Sequence, residues 1–98
     1  MPEPQNQPQQ LQVNADAEIL KGRYANALQI SHAPEEFVLD FFLLHPPAGQ
    51  QVARIITSPG HVKRIIAALT DNLKKYEAQF GEVKPADEPR REPMGFHK

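Results

Sequence analysis

Cysteine and tryptophan are absent from the 98 residues. Without cysteine the chain has no disulfides and no thiolate metal site to hold it together. An excess of one charge is missing too. Eleven Lys and Arg against twelve Asp and Glu leave a formal charge of −1, so nothing drives non-specific attraction to nucleic acid. No apolar run approaches the roughly 18 residues that span a bilayer. The opening MPEPQNQPQQLQ has neither the basic nor the apolar part of a secretion signal. A cytoplasmic protein with no membrane association is expected.

Chemistry-bearing patterns are equally scarce. The histidines are His32, His45, His61 and His97. No two of them form the i, i+4 pair that places two metal ligands on one helix face. Ser31, Thr57 and Ser58 have no His or Lys arrangement around them that marks a nucleophile, and Ser58 is better explained as a cap. No Gly-rich phosphate loop occurs. No enzyme, cofactor or metal is expected.

What is present is unevenly distributed. Pro2, Pro4 and Pro8 crowd one end, and Pro85, Pro89 and Pro93 the other. Residues 1–15 and 82–98 therefore read as polar, disordered tails around a single domain over 16–81. A core that small buries too little surface to be comfortable alone. With disulfides excluded, oligomerisation is the remaining remedy, and a dimer is favoured.

The domain is organised around Ser58–Gly81, which reads as one amphipathic helix with both ends marked. Ser58 is an N-cap, Pro59 suits the first helical position, and Gly81 suits the close. Val62, Ile65, Ile66, Leu69, Leu73, Tyr76 and Phe80 recur at steps of three and four and form one stripe.

Three strands precede it. Tyr24–Ser31 is the first, followed by a turn over His32–Glu36. Phe37–Leu44, apolar on both faces except at Asp40, is the second and reads as buried on both sides. His45–Gln50 is a loop, because two prolines bar a continuous element. Gln51–Thr57, rich in β-branched residues, is the third. Leu11–Asp16 has the alternation of a fourth, edge strand, and Ala17–Arg23 reads as a lead-in turning at Gly22. The fold class is α+β: an antiparallel meander of three strands, with room for a fourth, then one long helix packed on one sheet face.

Centring each hairpin on its loop aligns Tyr24, Phe42 and Val52, then Asn26, Asp40 and Arg54, then Leu28, Val38 and Ile56. The helix is assigned to the face with Ala25, Ala27 and Ala53, which has room for it. The other face then exposes Val38, Phe42 and Leu44, with Tyr24 and Leu28 beside them. An apolar patch of that kind marks an interface, and these five residues are the expected oligomer contact. Asp40 needs a charge partner, and Arg54 is the nearest by register.

The cations offer an alternative. His61, Lys63, Arg64, Lys74 and Lys75 are the residues that would meet an anion or a nucleic acid, but acids are interleaved among them.

Several segments together resemble a known pattern. They are Tyr24-x-Asn26, Ile30-Ser31-His32, Glu36–Phe41, Arg54–Pro59 with His61, Lys63 and Arg64, Ala68-Leu69-x-Asp71-Asn72, and Tyr76-Glu77-x-x-Phe80-Gly81. Over Gly22–Gly81 the chain resembles a widespread family of small bacterial and archaeal proteins described only as a domain of unknown function. The resemblance implies a short α+β domain and no established activity, cofactor or catalytic residue. The expected function is a non-enzymatic, homo-oligomeric binding domain for an unidentified protein or peptide, in a chaperone-like or adaptor role. A nucleic-acid-associated regulator is the alternative.

Overall fold

Two hairpins of two residues each, Pro34-Glu35 and Pro46-Pro47, build the sheet in the computed structural model, which describes residues 10–87. The elements are α1 (Ala17–Lys21), β1 (Ala27–Ala33), β2 (Glu36–His45), β3 (Ala48–Thr57) and α2 (Pro59–Phe80). The strands form an open antiparallel sheet in the order β1-β2-β3, as short hairpin connections require. An α+β arrangement of three strands and one long helix is therefore the fold.

The turns are tighter than the sequence reading allowed, and the strands accordingly longer. His32, Ala33 and Glu36 are strand residues, so the first turn is only Pro34-Glu35, with Pro34 supplying the fixed φ a turn favours. The expected loop over His45–Gln50 shrinks to Pro46-Pro47, joined by a cis peptide. His45 and Ala48–Gln50 pair across the second hairpin. Gly49 lies opposite Leu44, and a Cβ there would stand 2.7 Å from the Leu44 Cδ2 methyl. That close approach suits a residue without a side chain.

The first hairpin corrects the expected register. Ala27, not Tyr24, lies opposite Phe42. The shift is by three residues, and an odd shift moves every β1 side chain to the other face. Leu28 therefore shares a face with Phe41 and Ala53, away from Phe42. Tyr24 precedes β1 and is 80% exposed. The second hairpin follows the expected pairing from Val38–Ile56 to Phe41–Ala53. It then breaks at a bulge that puts Gln51, rather than Val52, opposite Phe42.

Asn26 extends the β1–β2 ladder by one step. Its backbone N–H donates to the Phe42 carbonyl at 2.9 Å. Its side-chain amide donates to the Leu44 carbonyl at 2.9 Å and accepts from the Leu44 N–H at 2.8 Å. The amide thus fills the place of a further backbone pair.

Leu11–Asp16 is not a strand; residues 10–16 carry no regular structure, and a five-residue helix follows instead. It closes at Gly22, whose φ of 75° suits glycine. Residues 81–87 also carry neither helix nor strand. The tail expectation otherwise falls on residues 1–9 and 88–98, which lie outside the described residues.

Helix α2 has the caps read from its sequence. Ser58 Oγ accepts from the His61 N–H at 3.1 Å, satisfying one of the orphan donors of the first turn. Gly81, at φ 96°, closes the last turn with its N–H on the Glu77 carbonyl at 2.9 Å. The helix is not packed along a sheet face as expected. It meets β2 only over a short stretch, with Val62 and Ile65 half-buried, while the rest of its stripe stays exposed. Only Ser58 separates β3 from α2, so no loop is available to fold the helix back along the sheet.

Candidate functional site

The surface carrying chemistry begins with one buried carboxylate. Asp40 is 8% exposed in the middle of β2, and it needs compensation there. Arg54 supplies it from the facing position on β3, with Nε donating to Oδ1 at 2.6 Å and Nη2 to Oδ2 at 3.0 Å. Gln51 Nε2 adds a third bond to Oδ1 at 2.8 Å. The bulge brings Gln51 to this face, since it moves the residue into the row of Phe42. The Arg54 hydrogen bond holds the Asp40 carboxyl below its usual range, outweighing the opposite push of burial. The same pairing raises Arg54. The arrangement is a closed ion pair in which both carboxylate oxygens are occupied.

This pair changes the character of β3. Arg54 is the single charged residue in Ala48–Thr57, and its guanidinium reaches across onto β2 while the side chain stays 59% exposed. Proteins protect an edge strand with outward charges, prolines or bulges; β3 has no proline and no charge free of a partner, and its one bulge, at Val52, leaves residues 53–57 as regular edge. Among the described residues β3 has a neighbour on one side only. Ile55 and Ile56 lie on opposite faces beside that edge and are both exposed.

The second apolar surface is on α2. Ile66 is 58% exposed, Leu69 66%, Leu73 49%, Tyr76 50% and Phe80 65%. They fall within an arc of about 80° at 100° per residue. The rings of Tyr76 and Phe80 lie 4.9 Å apart and widen the patch towards the C-terminal end. No segment among the described residues covers it.

The expected oligomer contact is dispersed by the structure. Phe42 is only 3% exposed, Val38 and Leu44 are half-buried, Leu28 is on the other face, and Tyr24 is outside the sheet. The expectation that Val38, Phe42 and Leu44 stand exposed is therefore corrected. The signal that would have found the real exposed surface was the helix stripe, read there as the part that packs on the sheet.

The cations do not converge. Lys63 and Arg64 stand near the start of α2, and Lys74 and Lys75 about 16 Å further along it at 1.5 Å per residue. Lys75 is paired with Asp71 at 3.1 Å. The His61 backbone is engaged by the Ser58 cap. His32 and His45 lie on strands at opposite ends of β2, while His97 is outside the described residues. Among the described residues no three His, Asp or Glu side chains group so as to hold a metal ion. None of their helices is long and apolar enough to cross a membrane.

The fold and these surfaces define a small α+β domain with an open sheet, one long helix and uncovered apolar area on both. The chain belongs to the family described as protein of unknown function DUF3467, which matches it over residues 1–85. No curated protein and no solved structure matches it.

Proposed function

We propose that this protein is a non-catalytic, cytoplasmic, self-associating binding domain that takes up extended polypeptide segments along the outer edge of β3. The observation that carries this reading is the state of that edge. Its ten residues lack proline, residues 53–57 run without a bulge, and the lone charge, though its side chain is exposed, is paired with Asp40. Ile55 and Ile56 are left exposed on the two faces beside it. An incoming strand would take its affinity from main-chain hydrogen bonds and its selectivity from side chains alternating against those two isoleucines. A segment alternating apolar with small polar residues fits best. This role suits a chaperone-like or adaptor protein.

The test is binding of a fluorescent, alternating Val/Ser peptide to the full chain, measured by anisotropy at two salt concentrations. The expected result is binding that changes little with salt. Ile55→Lys and Ile56→Lys should each weaken it tenfold or more while circular dichroism is unchanged. No binding by the unaltered chain would overturn the reading. So would retention on duplex DNA that falls steeply with salt and is lost with Lys63, Arg64, Lys74 and Lys75, because that is the signature of phosphate contact.

A further inference from the structure

The stripe on α2 has a symmetry that a helix packing on its own sheet does not need. Leu69 and Leu73 are equally far from Asp71 on either side. So are Ile66 and Tyr76, and so are Val62 and Phe80. All six lie on one arc of the helix. Turning the helix end over end about the level of Asp71 maps these six onto one another; Ile65, the seventh apolar residue, is half-buried and falls on Glu77. A self-complementary patch of this kind is what a two-fold, isologous contact requires.

We infer that α2 is the self-association surface, pairing antiparallel with α2 of a second copy about the level of Asp71. This rests on the self-associating part of the proposed function and names the surface responsible. In that arrangement Leu69 faces Leu73 of the second copy and Ile66 faces Tyr76, while Phe80 reaches the level of Val62, which is half-buried where α2 meets β2. Each contact sets a smaller side chain against an equal or larger one, so the two stripes interdigitate. A parallel pair would stack Phe80 on Phe80 at one end and leave Val62 on Val62 at the other.

Charge supports the same orientation. Glu77 and Lys63 border the stripe on one side, and a two-fold axis keeps them on that side. Antiparallel packing brings Glu77 of each copy to within about 3 Å, along the axis, of the level of Lys63 in the other. Both lie at the rim, where opposite charges steer association more than they strengthen it, and Glu77 also holds the Val83 N–H through Oε2 at 2.9 Å. The two helix dipoles then also oppose each other.

The area is adequate. The exposed parts of Ile66, Leu69, Leu73, Tyr76 and Phe80 amount to roughly 600 Å² per copy, so complete coverage removes up to about 1,200 Å² in all, which reaches the lower end of specific, stable interfaces.

The experiment uses the absence of cysteine. Single cysteines at His61, Thr70 and Gln79, all exposed, take spin labels without touching the stripe. Distances between copies are then read by pulsed dipolar spectroscopy, alongside the mass by light scattering. Antiparallel pairing about Asp71 separates the two labels along the helix axis by about 30 Å at position 61, about 3 Å at 70 and about 24 Å at 79. The expected result is a dimer mass with a short distance at 70 and long ones at both ends. Equal distances at all three positions would show a parallel pair and overturn the inference. A dimer with a long distance at 70 would show another interface, also overturning it, while the β3 peptide assay above would still stand. A single-chain mass would overturn both this inference and the self-associating part of the proposed function.

Discussion

Asp40 on β2 and Arg54 on β3 face one another across the sheet, and the guanidinium closes on the carboxylate through Nε at 2.6 Å and Nη2 at 3.0 Å. Because this bond keeps the folded Asp40 pKa below its unfolded value, the charged pair favours the fold above the ordinary carboxylate range near 4. That contribution is lost as pH falls through the lowered, folded value. Asp40→Asn should therefore be less stable than the unaltered chain at neutral pH. The gap should close in urea titrations taken to progressively lower pH below about 4. A gap that stays constant from neutral to acid pH would show that shape, not charge, is what Asp40 supplies.

Asn26 substitutes for a strand residue, and removing its amide leaves the Leu44 N–H and carbonyl without their side-chain partners. Asn26→Ala should lower stability by about 1–2 kcal/mol, the worth of one or two such bonds. The Leu44 amide should also lose protection in hydrogen exchange. Asn26→Asp keeps the acceptor for the Leu44 N–H but sets a carboxylate oxygen against the Leu44 carbonyl, so it should be no more stable than Asn26→Ala.

Ser58→Ala removes the cap on the His61 N–H and should cost about 1 kcal/mol. The loss should be read in the thermal transition. Ser58→Asp should restore most of it, because the carboxylate caps equally well and favours the positive end of the helix.

Leu73→Glu places a charge in the middle of the exposed stripe. The substituted side chain is solvated in a single copy, so helix content should change little. The mass in dilute solution should fall to that of one chain, and Tyr76→Glu should act in the same direction. Unaltered oligomer mass in both variants would count against α2 as the contact.

The helix was legible in the sequence because its signals are local: a capping serine, a proline at the first position, a periodic stripe and a terminal glycine. The Asp40–Arg54 pairing was legible for a different reason. A carboxylate inside an apolar strand demands a partner, and the second hairpin is short enough to nominate one. The register of β1 was not legible. It turned on whether His32, Ala33 and Glu36 belong to a turn or to strands, and nothing in their side chains decides that before the two edges pair. The destination of the helix stripe was equally hidden. Periodicity says that six or seven side chains share a face, and is silent on whether the same chain or another one meets them. The bulge that delivers Gln51 to Asp40 left no local mark, as Val52 is an ordinary strand residue.

A lone serine is all that lies between the last strand and the long helix. A joint that short leaves only the two torsions of Ser58 to absorb a rotation of the helix before the strand it continues from must follow. If a neighbouring molecule grips one and a guest lies along the other, the two events share a lever. Lengthening that joint with a few glycines would separate them, leaving each to occur without influencing the other.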